Sequence, residues 1–259
     1  MSSDVHRRIA ADLNDLGIRG VADELTALLA QAKKERWSHD ELLEHLVDVE
    51  RVDRARRSLE RRTARSRIGD FKPLVDFDWG WFREVDRDLV DRVMKMRFVD
   101  EGANVIVIGP HGVGKTTLLK NLCHQAVIAG HTVLFTTASR LIGDVTGTDS
   151  PSTLHRRLKY YTRMSVLAID ELGYLSYDQR AADLLFEIIS RRHEAHKPVL
   201  ISSNLAFRDW TTVFPHATCT VALVDRLTHR ADVIRLDAES WRRKESIERN
   251  ERNAADAEA

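Results

Sequence analysis

Residues 1 to about 68 carry apolar side chains at helical spacing and almost no strand-like alternation. Ile9, Leu13 and Leu16 stand at i, i+4 and i+7, and Val21, Leu25, Leu28 and Leu29 repeat that spacing after the break Gly17-Ile-Arg-Gly20. Ser38-His-Asp-Glu41 has the spacing of a capping box, in which the serine caps a helix and the glutamate reaches back. Leu42, Leu43, Leu46 and Val47 then form the apolar stripe of that helix. The pattern predicts a three-helix unit over 1–68 that ends in a basic arm. In that arm Arg51, Arg54, Arg56, Arg57, Arg61, Arg62, Arg65 and Arg67 face only Asp53 and Glu60.

The helical period breaks at residues 69–82, where Gly69, Pro73 and Gly80 interrupt a run rich in Phe and Trp. This run reads as an ordered linker that packs on the next domain, and 69–103 as the lead-in to that domain. From 104 the period changes. Apolar runs at Asn104–Ile108, Thr132–Thr136, Val166–Ile169, Pro198–Ser202 and Val233–Leu236 are of buried-strand length. Helical patterns lie between them, clearest at Thr116–Ala129 and Ala181–Glu194. Such alternation predicts an α/β domain over 104–245, with a mostly parallel sheet flanked by helices. Residues 246–259 read as a charged tail.

Composition adds limits. A chain of 259 residues holds one sizeable α/β domain and a small appendage. Lys+Arg and Asp+Glu are each 40, so any nucleic-acid surface must be local. Cys123 and Cys219 have no metal-ligand spacing and read as reduced core thiols. The apolar runs are far too short to span a bilayer, and no secretory h-region comes after the start; the expectation is a cytoplasmic protein with no membrane association.

The chemistry concentrates in three places. Gly109-Pro110-His111-Gly112-Val113-Gly114-Lys115-Thr116 fits G-x-x-x-x-G-K-[ST], with Thr117 next, between an apolar strand and a helix. There the glycines let backbone N–H groups turn inward around phosphate oxygens, and the helix N-terminus adds its dipole. Lys115 would meet the β- and γ-phosphates of ATP, and Thr116 would offer its hydroxyl to Mg²⁺. Second, Val166–Ile169 ends in Asp170-Glu171, acids placed at the carboxyl end of a parallel strand. Asp170 would hold Mg²⁺, usually through water, and Glu171 would polarise an attacking water. Third, the strand Val199-Leu-Ile-Ser-Ser is succeeded by Asn204, whose amide can bond a γ-phosphate and that water together. P-loop kinases carry the first element without this Glu and Asn pair, so the order points to an ATP-hydrolysing motor or switch.

Asp170-Glu-Leu-Gly-Tyr-Leu175, Leu185-Phe-Glu-Ile-Ile-Ser190-Arg-Arg, Ser203-Asn-Leu-Ala-Phe207, Trp210-Thr-Thr-Val-Phe214 and Asp225-Arg-Leu-Thr-His229 fall in one order. That series resembles the IstB-like ATPases, transposition helpers of bacterial insertion sequences and relatives of the DnaC-type helicase loaders in the AAA+ class. The resemblance covers about 70 to 245 well, and the N-terminal helices more loosely. It implies an AAA+ P-loop core with a reduced lid, an oligomer formed around ATP, duplex DNA binding, and delivery of target DNA to a partner transposase. It also implies roles. Lys115 and Thr116 match Walker A, Asp170 and Glu171 match Walker B, and Asn204 matches sensor 1. Arg226 falls where helicase loaders place an arginine finger, Arg242 near a second sensor, and Phe77 and Trp79 where the linker approaches the adenine. Two positions depart from many relatives: His111 stands where they have proline, and Thr117 where they often have histidine. Neither removes a phosphate ligand. The alternative functions are a DnaC-like replicative helicase loader and an ATP-binding adaptor that hydrolyses little; the full Lys115, Asp170, Glu171 and Asn204 set disfavours the adaptor.

Two basic stretches are candidate DNA surfaces. One is Arg51–Arg67. The other is Arg156, Arg157, Lys159 and Arg163, on a predicted helix that also carries Leu154, Leu158 and Tyr161. Clustered cations give phosphate affinity without sequence choice, but the same pattern describes a solvated helix face, and the arginine run equally suits the transposase. Tyr160 and Tyr161 read as core rather than base-stacking residues.

Overall fold

The computed structural model describes residues 2–174, 176–214, 219–241, 243 and 244. By internal packing the chain divides into two units, 1–61 and 62–259, each described here by itself. The first is helical. Its elements are α1 (Ser2–Asp15), α2 (Arg19–Glu35) and α3 (His39–Ser66), whose last turn belongs to the second unit. Gly17 turns the chain at φ +79°, and Gly20 lets α2 approach α3 so closely that a Cβ there would lie 2.6 Å from Asp53 Cβ. Gly20 N–H donates to Glu50 at 2.9 Å in that contact. The capping box forms as the spacing predicts: Glu41 N–H donates to Ser38 Oγ at 3.2 Å and Ser38 N–H to the Glu41 carboxylate at 2.6 Å. Those bonds hold the Glu41 carboxyl below its ordinary range.

The basic arm is less bare than its sequence suggests. Arg51 pairs with Asp48, Arg54 with Glu50, Arg56 with Asp53 and Glu60, and Arg57 with Asp53 and Glu50. Acids one helical turn upstream of the run, outside its boundaries, supply half of that neutralisation.

The second unit is a five-stranded parallel sheet. In chain order its elements are α4 (Arg87–Met94), α5 (Arg97–Glu101), β1 (Asn104–Ile108), α6 (Lys115–Ile128), β2 (Val133–Thr137), α7 (Ala138–Thr146), α8 (Pro151–Arg163), β3 (Val166–Leu172), α9 (Gln179–Glu194), β4 (Val199–Ser203), α10 (Thr220–Thr228) and β5 (Ala231–Arg235). The strands lie side by side as β2-β3-β4-β1-β5. Strand residues alternate between two apolar clusters, as the pleat requires. Ile106, Leu134, Leu167, Ile169 and Ile201 join the cluster built with α7–α10. Val105, Val107, Phe135, Ala168 and Leu200 join the one built with α4 and α6. Both faces are thus covered, which is why these strands read as unbroken apolar runs.

Residues 71–82 pack on the second cluster through Phe71, Leu74, Trp79, Trp81 and Phe82, in two 3-10 turns, Leu74–Asp76 and Trp79–Trp81. The strands sit close to their expected places, β2 and β4 each shifted by one residue and β5 beginning earlier at Ala231. β3 runs on to Leu172, past the expected end at Ile169. Cys123 is buried and Cys219 half-buried, both free, and burial raises both thiols above the ordinary range. Among the described residues, no helix is long and apolar enough to cross a membrane. Arg242 and the tail 246–259 lie outside the described residues.

One buried cation ties the elements together. Arg192 on α9 is fully buried, and its guanidinium donates to the carbonyls of Tyr161, Met164, Ser165 and Pro198 at 2.7–3.1 Å. It thereby joins the end of α8 to the starts of β3 and β4. Burial lowers its pKa to about 9, which still leaves it charged at neutral pH. Arg192→Leu takes the guanidinium away from these carbonyls, of which Pro198 O keeps Leu167 N–H at 3.4 Å, so we expect a loss of about 3–5 kcal/mol. Denaturant unfolding checks this, and a wild-type midpoint would show the carbonyls find other partners.

Candidate nucleotide-binding site

All five strands point the same way, so the segments leaving β1, β3 and β4 emerge at one edge of the sheet. That edge, where strand order reverses, is where open α/β sheets take ligands. From β1 comes the glycine-rich loop. Gly109 N–H bonds Ser203 O at 3.2 Å, and a side chain at Gly109 would run into the Leu236 carbonyl. Gly112 and Gly114 take φ +76° and +94°, the left-handed region in which only glycine turns freely. α6 starts directly at Lys115. The Lys115 ammonium donates back across the loop to Gly109 O at 2.8 Å and Pro110 O at 2.6 Å.

From β3 come the two acids, set by a bulge. Ile169 pairs with Ile201 and Leu172 with Ser203, so Asp170 and Glu171 together oppose the single residue Ser202. Glu171 absorbs the extra length at φ +61°, an uncommon conformation for a non-glycine residue. The bulge separates the acids: Asp170 is buried at 3% exposure while Glu171 is exposed in the cavity. Ser202 locks both, its hydroxyl donating to Asp170 and accepting from Glu171 N–H at 3.0 Å. Thr116, in the first turn of α6, donates its hydroxyl to the same Asp170 oxygen at 3.2 Å.

From β4 comes Asn204, whose Nδ2 lies 3.2 Å from His111 Nε2. The His111 ring in turn meets the edge of Tyr174 at 5.8 Å. These groups line a cavity of about 580 Å³ with Gly112–Thr117, Glu171 and Ser202, a size that suits a cofactor or nucleotide. Its far wall is aromatic: Phe77, Trp81, Phe82 and Trp241. Phe77 lies so close to Gly114 that a Cβ there would be 2.6 Å from its ring. Trp79 stands behind, packing on Phe77 at 4.9 Å and under the Arg87 guanidinium at 3.9 Å. Of the two aromatics expected near a base, Phe77 therefore reaches the cavity and Trp79 supports it.

The residues fit a magnesium–nucleotide complex on chemical grounds. Oxygen donors Thr116 and Asp170 adjoin one another, as a hard cation needs, and the glycine cradle leaves room that any Cβ would fill.

A model of the IstB-like ATP binding protein family matches residues 11–249. The chain belongs to that family. It is 34% identical over 233 residues to the ATP-binding protein named for insertion sequence IS21 of Pseudomonas aeruginosa, covering 90% of this chain and 88% of the relative. It is 30% identical over 225 residues to the one named for IS5376 of Geobacillus stearothermophilus, covering 87% and 89%. Among solved structures, DnaI superposes with a TM-score of 0.53 at 22% identity, over 65% of this chain and 89% of that one. AMPPCP-bound DnaA from Aquifex aeolicus gives 0.52 at 20%, over 63% and 49%. The second unit of this IstB-like protein has the fold of an AAA+ P-loop NTPase core.

The remaining candidates lie elsewhere. Arg226 of this IstB-like chain sits outside the cavity, its Nη1 donating to Ser190 Oγ at 2.8 Å and its guanidinium 4.4 Å from the Phe186 ring centre. Arg156, Arg157, Lys159 and Arg163 are exposed on α8 and form no ion pair among the described residues. Tyr161 is buried and donates to Asp144, and burial raises its pKa. Tyr160 is half-buried, with the Arg67 and Arg163 guanidiniums 5.7 and 5.3 Å from its ring.

Sequence reasoning passed over Ser202 and Asn121. Buried Asn121 on α6 accepts from Leu74 N–H at 2.9 Å and donates to Lys72 O at 2.9 Å, pinning the aromatic linker to the helix that begins at the loop's end. An isolated asparagine in a helical pattern carries no signal of that. We expect Gly114→Ala to lower nucleotide affinity about tenfold or more, since both φ and the Phe77 contact exclude a methyl group. Calorimetric titration with a non-hydrolysable ATP analogue checks this; unchanged affinity would mean that nucleotide does not use this loop.

Proposed function

We propose that this protein binds Mg-ATP in the cavity above β1, β3 and β4, hydrolyses it, and uses that cycle to hold duplex DNA for the transposase of an insertion sequence. The observation that carries the reading is the meeting of three segments on one carboxylate. Thr116 from α6 and Ser202 from β4 both bond Asp170, while the bulge turns Glu171 into the cavity beside them.

Position sets the roles. The backbone N–H groups of residues 109–116 take the phosphate oxygens, and Lys115 exchanges its loop carbonyls for the β- and γ-phosphates. Thr116 and Asp170 would hold Mg²⁺, which neutralises charge on the phosphates when bound. Glu171 orients and polarises the attacking water, and Asn204 bonds that water and the terminal phosphate. Phe77, Trp81 and Trp241 offer apolar faces for the base.

No arginine is among the described residues lining the cavity. Lys115 and Mg²⁺ would meet the charge already on the phosphates, and the further charge that develops in the transition state calls for another cation. Arg226 of a neighbouring copy is our assignment, and it requires the side chain to leave Ser190 and Phe186. That makes the active species an oligomer formed around ATP.

For DNA, α8 is favoured over α3. Its four cations are exposed and carry no ion pair among the described residues, whereas four arginines of α3 already face acids. Insertion-sequence relatives support the transposase as the partner. The test is DNA binding by the Glu171→Gln protein, which should retain ATP without turnover, measured by fluorescence anisotropy across a salt series. We expect duplex to be preferred over single strands and binding to require ATP. Reversing Arg156, Arg157 and Lys159 to glutamate should flatten the log–log salt slope by roughly one unit per lost phosphate contact. Preference for single strands would favour a helicase-loader role instead, and binding indifferent to ATP would sink the coupling.

A further inference from the structure

We propose that His111 is a positioning residue for Asn204, fixing which end of that amide faces the phosphates. The inference rests on the hydrolysis reading above and assigns a task to a side chain that the phosphate-binding motif itself leaves free. A residue at that place in a phosphate-binding loop contributes its backbone N–H whatever its side chain, so an imidazole there is available for something else.

The contact arises from the sheet. β1 and β4 are parallel neighbours with Ile108 paired to Ser203, so the segments leaving them run side by side from the same level. His111 is on the first and Asn204 on the second, and their side chains meet at 3.2 Å between Nε2 and Nδ2. The Tyr174 ring, from the segment after β3, stands edge-on to the imidazole at 83° and 5.8 Å and limits its swing. All three side chains line the cavity that also holds Lys115 and Glu171.

A carboxamide is nearly symmetric in shape and opposite in chemistry at its two ends, so only its hydrogen bonds decide its orientation. Neutral imidazole accepts at Nε2 when its proton is on Nδ1, and it then takes one of the two Nδ2 hydrogens of Asn204. The second Nδ2 hydrogen is left for a phosphate oxygen, and Oδ1 is left to accept from the attacking water. Turned the other way, the amide would set its oxygen against a phosphate oxygen and lose both bonds. The phosphate disfavours that orientation, and the imidazole, as the Nε2-accepting tautomer, adds a bond that only the productive orientation makes. Loss of His111 should therefore slow turnover while leaving nucleotide affinity to the loop amides and Lys115.

The experiment is steady-state ATP hydrolysis by full-length wild type, His111→Ala, His111→Gln, Asn204→Ala and the His111→Ala/Asn204→Ala double variant. We expect His111→Ala to lower kcat about tenfold with KM changed less than about threefold. His111→Gln should recover most of the loss, because its amide oxygen accepts the same hydrogen. In the Asn204→Ala background, His111→Ala should change kcat less than about twofold, since the group it orients is gone. An equal further loss in that background, or failure of His111→Gln to recover, overturns the assignment while wild-type turnover keeps the hydrolysis reading intact. Absence of wild-type turnover overturns the hydrolysis reading and this inference together.

Discussion

The bulge in β3 sets the geometry on which the site depends. Two successive acids on a regular strand would point to opposite faces of the sheet, one of them into apolar packing. Placing Asp170 and Glu171 against the single residue Ser202 shifts the register, and the left-handed backbone at Glu171 turns its carboxylate into the cavity. A residue held there costs on the order of 1–3 kcal/mol and persists only when its surroundings impose it. Here the Ser202 hydroxyl does so, bonding both Asp170 and the Glu171 amide. The packed sheet thus supplies the stability from which a strained, functional backbone is held.

Around that point the other parts are placed by simple geometry. Parallel strands deliver three chain segments to one edge, glycines keep the loop after β1 thin, and the hydroxyl of Thr116 approaches the same carboxylate that Ser202 holds. The linker closes the far side because Asn121 ties Lys72 and Leu74 to α6, so the helix that begins at Lys115 also carries the aromatic wall. Arg192 performs the corresponding task at the opposite edge, joining α8, β3 and β4 through their carbonyls.

Most of the architecture is legible in the sequence because the parallel sheet is covered on both faces. Each buried strand then appears as a short apolar run, and helices show as periodic stretches between them. The glycine-rich loop is equally plain as a turn, since its backbone needs glycines at fixed spacing between a strand and a helix. The bulge is not legible: a positive φ at Glu171 leaves no trace in residue type, so the apolar run alone puts the strand's end at Ile169. Arg192 lies in a stretch that resembles a solvated helix end, and only the packed structure shows four carbonyls around it. The basic arm looks barer in sequence than it is, because Asp48 and Glu50 precede it along the chain but sit one turn away on the helix. Arg226 is marked by its place in a motif, and its contacts with Ser190 and Phe186 depend on how α9 and α10 pack.

The central claim is that Lys115, Thr116 and Asp170 form one Mg-ATP site. Titration calorimetry of the full chain with ATP, with and without Mg²⁺, tests it most directly when wild type is compared with Lys115→Ala. The account predicts tight binding by wild type that weakens about tenfold or more when Mg²⁺ is removed, and no measurable binding by folded Lys115→Ala. Equal affinity in the two proteins, or binding indifferent to Mg²⁺, would contradict it.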